Sequence, residues 1–554
     1  MIRFPVYIKK GLKYCMILLS LFLILEGCQK FEEFKESETV YYNSEENMTE
    51  LITGAYDRFK YIFINISTDE EGTSYHWEWY QMPNSFGDDF NHSVLNYGFY
   101  ELQDNRFEYN CSDESSSVRL YNYGEISETW YDCYKTITAL NNIIVHAEEQ
   151  GGLIPEVKEI LGEAYFLRGY IYFRLARIYG EIPLIKDTEV SYTVSNASFE
   201  EIYDFMEQDL KSAIELLPAN SNEARVPYST PHIGTAKAIL SEVYLTRGGY
   251  PLKQTEYYTK AAEVSGNVID SASYYGFEIL PDFAELWDNQ ILWNKETVFA
   301  MNYTKSSYNI PWEWITSNNE DYFVLGTIIP ESGVSNGTGI KFYNTFPKSY
   351  RKTMTFYSLF VEPYSTNSIF NYNFLVISEP VQMDLCTPVY YNKFDLRWKF
   401  STASTWNPFN SGQTRSFQKI SDNFNLYIYR FAQTVLTFAE AKARSGQLDE
   451  QSYEAVNIIR RRAHHVDLYS PSVYDLTPGL SVQQFTDSVV WERAWELCAE
   501  PEGRWFDLVR LEMVEDMSSL RDENDRLDYP DIITKDFYFL PIPESEIELN
   551  PNLE

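Results

Sequence analysis

Apolar residues recur three and four positions apart through residues 45–66 and 125–150, the spacing of helices with one buried face. The clearest stretch runs from Glu163 to Tyr179. Ala164, Leu167, Ile171, Leu175 and Ile178 form one stripe, and Tyr165, Gly169, Tyr172, Ala176 and Tyr179 form a second. Two adjoining stripes predict a helix packed on more than one side. Gly180 and Pro183 stop it. The texture then repeats: Phe199–Leu217 ends at Pro218, and Thr235–Thr246 ends at Gly248 and Gly249. Tyr257–Val268 pairs with the latter, and Val435–Arg444 with Tyr453–Ala463 across Gly446. Small residues at the crossings, Ala236 and Ala238, with bulky ones between them predict helix pairs of the tetratricopeptide kind. Such pairs bury their faces only by stacking on one another.

Two stretches break the rhythm. Residues 67–124 are polar and aromatic and read as loop. From about Tyr274 to Asn425 helical periodicity fades into Asn, Ser, Gly, Pro and aromatics, with short β-like pieces such as Thr297–Met301. The fold class is therefore mainly α, a helix-pair scaffold carrying a long loop-rich insertion with short β pieces. Loops on a rigid frame are where binding usually resides.

The N-terminus has a different pattern. Arg3, Lys9, Lys10 and Lys13 precede an apolar run, Tyr14–Leu25, then Gly27 and Cys28. A positive start, an apolar run and a small residue at the cut site make a secretory signal peptide over residues 1–27. The run is shorter than the about 20 residues needed to span a bilayer. Cys28 stands where a bacterial lipobox places its lipidated residue, although Glu26 is unusual there. The competing reading is a plain signal peptide, or an uncleaved anchor, with an incidental cysteine. The acidic stretch after Cys28, with Glu32, Glu33 and Glu36, resembles the surface-export signal of Bacteroidetes lipoproteins.

Composition narrows the partners. The 554 residues hold 45 basic and 81 acidic side chains, a formal charge of −36. Phosphate backbones would be repelled, so nucleic acid is excluded as a natural partner. Aromatics make up 17% of the chain, enough to fill a core and leave exposed platforms. Cys111, Cys133, Cys386 and Cys498 are scattered without a CxxC pair, which excludes a zinc ribbon. A Cys111–Cys133 disulfide and buried thiols both remain open.

Catalytic signals are weak. Gly333-Val334-Ser335-Asn336-Gly337 fits G-x-S-x-G, but turn-like residues precede it where a hydrolase elbow needs a strand. His464 and His465 are adjacent, and neighbours on a helix face different ways, so no metal pair is expected. Asp522, Glu523, Asn524, Asp525 and Asp528 lack the glycine and spacing of a calcium loop. They read as a solvated turn, with a loosely bound calcium as the alternative; no other cofactor or metal is called for. Arg493, Glu496, Arg504, Asp507 and Arg510 read as a buried ion-pair network and not as an acid/base site.

The aromatic clusters carry more. Residues 75–80 read Tyr-His-Trp-Glu-Trp-Tyr, and residues 308–314 read Tyr-Asn-Ile-Pro-Trp-Glu-Trp. In an extended segment, tryptophans two apart point the same way and form a platform for sugar rings. Trp312 and Trp314 are the first candidates, followed by Trp77, Trp79 and Tyr80. Tyr308, Asn84, Asp88 and Asp89 are candidate hydrogen-bonding partners. The competing reading makes these rings loop anchors tucked into the frame.

Several segments together carry a family resemblance. EAYFLRGYIYFRLARIYGEIPLI, from Glu163 to Ile185, resembles the helix-to-GxxPL signature of the SusD/RagB family, and TAKAILSEVYLTRGGY, from Thr235 to Tyr250, is similar to it as well. LYIYRFAQTVLTFAEAKARSG, from Leu426, resembles the family's R-x-A-E-x-L-x-x-x-A-E-A helix, with Gln433 in place of glutamate. VNIIRRRA follows from Val456 to Ala463. WERAWELCAEPEGRWFDLVR, from Trp491, resembles the ER-x-x-E-L-x-x-E-G-x-R-x-x-D-L-x-R block, with Pro501 and Glu502 inserted. FLPIPESEIELNP, from Phe539, matches the closing PIP-x-x-E-x-x-x-NP, beyond which most members continue further. The likeness spans residues 28–554, divided here into N-terminal repeats (28–273), the insertion (274–425) and a C-terminal helical part (426–554).

The resemblance implies a non-catalytic lipoprotein on the extracellular face of the outer membrane. It would sit on a SusC-like TonB-dependent transporter and pass glycans to it. Ligand residues in the family come from loops near the two aromatic regions. Alternatives are a RagB-like capture of peptides and a helical glycoside hydrolase, whose two carboxylates would stand about 5 to 9 Å apart. Metabolic labelling with a fatty acid checks the anchor: Cys28→Ala should abolish the label, and a labelled mutant would reject the assignment.

Overall fold

A computed structural model of the chain describes residues 45–63, 65–68, 74–77, 87–89, 91–92, 117–149, 155–188, 193–287, 293–304, 336–338, 340–356, 359–363, 372–376, 389–390, 398–400, 417–419, 423–517 and 535–553. The principal helices are α1 (Glu45–Tyr61), α2 (Ser117–Glu149), α3 (Pro155–Tyr179), α4 (Phe199–Leu216) and α5 (Ile233–Arg247). They continue with α6 (Tyr257–Asp270), α7 (Phe431–Arg444), α8 (Glu450–Ala463), α9 (Val482–Glu496) and α10 (Arg504–Arg510). Helix ends have local causes. Ser198 Oγ accepts the Glu201 N–H while Glu201 accepts the Ser198 N–H at 2.9 Å, a capping box at the start of α4. Asp449 with Ser452 and Ser481 with Gln484 do the same for α8 and α9. Gly180 ends α3 with φ 82°, a left-handed conformation that favours glycine.

Both predicted stripes of α3 are buried except for the half-buried Tyr165, because the helix packs along α4 and also against α1 and α2. Helices α5 with α6 and α7 with α8 form further pairs, and α7 also packs against α6 and α9. None of the described helices is long and apolar enough to cross a membrane.

The strands are short and mostly pair in twos. Hairpin β1 (Asn65–Thr68) and β2 (Ser74–Trp77) is antiparallel, as are β6 (Leu359–Pro363) with β7 (Tyr372–Val376) and β9 (Trp398–Phe400) with β10 (Phe417–Lys419). The longest pair joins β4 (Thr297–Thr304) to β11 (Asn423–Arg430), with Met301 opposite Leu426. A three-stranded sheet has the order β3 (Asn91–His92), β5 (Asn336–Thr338), β8 (Val389–Tyr390). Two expectations are corrected. Helix α1 ends at Tyr61, and Ile66 and Thr68, β-branched and suited to strands, go into β1. Helix α2 begins at Ser117, inside the stretch read as loop, because helix propagates cheaply once its buried half is formed.

Buried guanidinium groups bind these elements together. Arg430, the last residue of β11 and the N-cap of α7, donates Nη1 to Glu296 (2.6 Å), Nε to Glu500 (2.7 Å) and Nη2 to Glu496 (3.0 Å). Arg462 on α8 pairs with Glu296 and with Glu496, the latter at 2.8 Å. Arg351 pairs with Glu496 at 2.9 Å and Glu492 at 2.7 Å, and Arg460 reaches Glu492 at 3.1 Å. Four arginines thus face four glutamates. Gln433 performs the capping expected of glutamate, accepting the Arg430 N–H at 2.7 Å. Burial alone pushes the Glu496 carboxyl up, but Arg462, Arg430 and Arg351 reverse this and hold it well below the usual carboxylate range.

A second network holds the expected block. Arg493 donates Nε to Asp507 (2.9 Å) and Nη2 to Glu242 on α5 (2.9 Å). Arg510 forks onto Glu440 at 2.7 Å through both Nη atoms and donates Nε to Asp507 at 2.9 Å. Glu502, one of the inserted residues, is buried and accepts from Tyr170 (2.6 Å), Arg174 (2.8 Å) and Arg177. The insertion is therefore a plug for a cationic patch on α3.

The closing motif docks on the N-terminal repeats. The Tyr250 N–H donates to the Arg510 carbonyl at 2.8 Å, and a Cβ on Gly249 would lie 2.4 Å from that oxygen, so TRGGY needs its second glycine. The Leu540 N–H donates to the Ile178 carbonyl at 2.7 Å. Asn550 and Asn552 hold the Val194 and Thr193 carbonyls at 2.7 and 3.0 Å.

Removing one charge from a buried pair leaves its partners uncompensated. Glu496→Gln should lower stability by about 3 to 5 kcal/mol, read as a lower urea midpoint. Lys211→Ala, at the exposed Lys211–Glu207 pair (2.6 Å), should cost at most about 1 kcal/mol in the same titration.

Candidate functional site

Trp79, Tyr80, Asn84, Tyr308, Trp312 and Trp314 lie outside the described residues, as do Cys28 and the acidic cluster 522–528. Trp77 is the last residue of β2, its backbone opposite Asn65. The described neighbours still relate the two aromatic stretches. Strand β3 closes the stretch that follows Trp77, and β5 closes the stretch that follows Trp314. These strands pair directly, with Asn91 opposite Gly337 and His92 opposite Asn336. The strands that next follow the two aromatic stretches in sequence thus lie side by side, and β5 is joined on its other edge to β8.

The segments next to these strands rest on α9. After β5 a short helix, Ile340–Thr345, sets Phe342 6.5 Å from the Trp491 ring, and Phe346 lies 6.3 Å from Trp495. Trp495 Nε1 donates to Thr345 Oγ1 at 3.1 Å. Just before β3, Asp88 accepts a fork from Arg504, Nε at 2.8 Å and Nη2 at 3.0 Å. Asp89 Oδ2 accepts the Ala499 N–H at 2.9 Å. Both aspartates were candidates for reading ligand hydroxyls. The structure corrects this: they are buried against the α9–α10 turn, where a ligand has no access. Their partners lie over 400 residues away in sequence, so no local spacing could reveal them.

Adjacent carboxylates invite an acid/base reading as well. Burial and the Asp88 charge push the Asp89 carboxyl up to about 7, a value suited to a general acid. Its oxygens face the Ala499 amide and the Arg504 side, so geometry makes it a packing group. Ser335 of the G-x-S-x-G match lies outside the described residues, and Asn336–Thr338 form a strand. His464 stacks on Tyr474 at 3.6 Å, while His465 turns to Tyr350 at 4.5 Å. Among the described residues no group of three His, Cys, Asp or Glu side chains is placed to hold a metal. Cys133 is a buried free thiol whose ionisation burial pushes up, and Cys498 is buried too; Cys111 lies outside the described residues.

A separate cleft of about 670 Å³ opens between α6, α7 and α8. Phe277, Val435, Phe438 and Ile458 are among its apolar lining. Asp270, Glu278 and Glu454 outnumber Lys295 at its edge, and Lys295 is paired with Glu278 at 2.6 Å. It would repel an anion, and it stands apart from the β3–β5–β8 sheet.

Comparison with known proteins agrees with this architecture. Residues 31–245 match a family model described as starch-binding, associating with outer membrane, and residues 390–554 match the SusD family model. A curated relative, SusD-like protein P2 of Formosa agariphila, is 27% identical over 451 residues, covering 78% of this chain and 80% of that protein. A SusD homolog from Bacteroides thetaiotaomicron has TM-score 0.68 at 18% identity, covering 94% of this chain and 98% of its own. Surface glycan-binding protein A from Bacteroides uniformis has TM-score 0.64 at 18% identity, covering 92% of this chain and 99% of its own. The two matched segments together exceed half of the chain, and they contain the α3, α9 and α10 motifs whose buried arginines and glutamates interlock. The chain belongs to the SusD/RagB family.

Proposed function

We propose that this protein is a cell-surface lipoprotein that binds glycans and hands them to a SusC-like TonB-dependent outer-membrane transporter, without cleaving them. The observation that carries the reading is the family match at both ends of the chain, one of its models being starch-binding and outer-membrane associated. The glycan-binding name of the Bacteroides uniformis neighbour points the same way. Within the chain, each of the two Trp-Glu-Trp segments is followed in sequence by one of the strands β3 and β5, which pair with each other. Aromatic faces would hold sugar rings, and polar neighbours would read hydroxyls. Cys28 would hold the protein at the outer membrane, facing outward. The net charge of −36 favours neutral cargo over anionic cargo.

Titration of intrinsic tryptophan fluorescence against a panel of soluble glycans tests binding. Trp312→Ala with Trp314→Ala should weaken the affinity by at least about 1 kcal/mol. Unchanged affinity in a folded double mutant would reject these rings as the site. Recovery of the glycans intact after long incubation is expected, and shortened products would replace the binding reading with a hydrolase.

A further inference from the structure

The cleft between α6, α7 and α8 has an apolar floor, a charged rim and an exposed aromatic edge. Its volume of about 670 Å³ lies within the range of ligand pockets. Phe431 and Val435 of α7 are buried, while Ile269 on α6, Phe438 on α7 and Ile458 on α8 are half-buried and leave hydrocarbon facing the opening. Gly266 lets α6 come close to α7, since a Cβ there would stand 3.0 Å from the Phe438 ring. Asp270, Glu278 and Glu454 stand on the rim with one lysine, Lys295, which Glu278 holds at 2.6 Å. Neighbouring cations are engaged. Lys442, 5.2 Å from the Phe438 ring centroid, is paired with Asp449, and Lys237 donates to Asn267 (2.6 Å) and to Tyr275 (3.1 Å). Arg461 is shared between Glu454 (2.7 Å) and Asp475 (2.8 Å). Asp270 is exposed and, among the described residues, has no ion-pair partner. Tyr469 completes the lining. It is 70% exposed, yet its root is fixed: Arg461 Nη1 donates to the Leu468 carbonyl at 2.8 Å, and the Tyr469 N–H donates to Asp467 at 2.8 Å. Tyr274, beside Ser273 of the lining, and Val473, four residues after Tyr469, are exposed as well. Exposed apolar side chains gathered beside an apolar cleft mark a contact surface.

We propose that this cleft, with Tyr469 at its edge, docks an exposed segment of a second protein in which lysine or arginine stands beside leucine, isoleucine or phenylalanine. The apolar side chain covers the floor at Phe438 and Ile458, and the cation lies among the rim carboxylates and against the Tyr469 ring. Each part of this chemistry answers a part of the lining. The floor is stabilised by losing its contact with water. Three carboxylates against one already paired lysine attract a cation and repel a phosphate or an acidic segment. The face of a tyrosine ring favours a cation too. A glycan would set hydroxyls against the hydrocarbon floor, which costs desolvation without hydrogen bonds in return. An uncharged aliphatic ligand would leave the rim unanswered. The inference is independent of the glycan reading, because the cleft shares no residue with the β3–β5–β8 sheet.

Fluorescence anisotropy of dye-labelled peptides, titrated with the full chain at low salt, tests the site. The probe is a peptide blocked at both ends with the core Lys-Leu-Phe-Lys, and saturable binding is expected. The net charge of −36 gathers any basic peptide loosely, so the controls separate attraction from docking. Lys-Ser-Ser-Lys keeps the charge and Glu-Leu-Phe-Glu keeps the hydrocarbon, and each should bind at least about tenfold more weakly. Asp270→Lys should weaken the probe at least about threefold, and Ile458→Lys at least about tenfold. Glu46→Lys makes the same charge change on an exposed residue of α1 and should leave affinity unchanged. If circular dichroism finds Ile458→Lys unfolded, Asp270→Lys against Glu46→Lys decides the result. Equal binding of either control peptide, or equal affinities in Asp270→Lys and Glu46→Lys, would overturn the proposal. So would binding that needs free peptide termini, which would make the occupant a loose oligopeptide, or displacement of the probe by a glycan. Self-association in sedimentation velocity that Asp270→Lys abolishes would put a second copy of this chain in the cleft and overturn it likewise.

Discussion

Everything in this molecule leans on the requirement that a buried guanidinium have carboxylates around it. Arg430, Arg462, Arg493, Arg504 and Arg510 are almost fully excluded from water, and each is met by acid groups from other parts of the chain. An uncompensated charge there would cost several kcal/mol, so the segments that supply the partners are not free to drift. Arg430 alone ties the β4 entry at Glu296 to the end of α9 at Glu496 and to the turn at Glu500. The network acts as a positional lock between elements that hydrophobic contact alone would allow to slide.

That lock explains why the candidate loops have fixed roots. Strand β11 passes directly into α7 at Arg430, and α9 presents its tryptophans and its terminal turn to residues 87–92 and 336–346. The β3–β5 pairing joins two stretches separated by more than 200 residues. Loops anchored in this way can vary in sequence between their roots while the roots stay in register with a rigid frame.

The helices were legible because periodicity is a local property. The two stripes of α3, the Gly180 stop and the α7–α8 pair across Gly446 all act within a few residues of themselves. The buried nature of the Arg493–Arg510 block was legible too, since so many charges among apolar residues have no other stable arrangement. The partners were not. Glu242 meets Arg493 across 251 positions, and Glu502, which looked like an interruption of a motif, serves as a counter-ion for α3. Asp88 and Asp89 read as exposed polar residues in a loop and proved to be buried.

The amino-acid order by itself determined the helical elements, the acidic character, the cationic-then-apolar run ending at Cys28 and the positions of the paired tryptophans, because each depends on neighbours in the chain. Tertiary structure alone decided which charge answers which, that β3 and β5 lie edge to edge, and that two loop aspartates belong to the frame. Those outcomes depend on desolvation and on distances between residues hundreds of positions apart, quantities that exist only once the chain has folded.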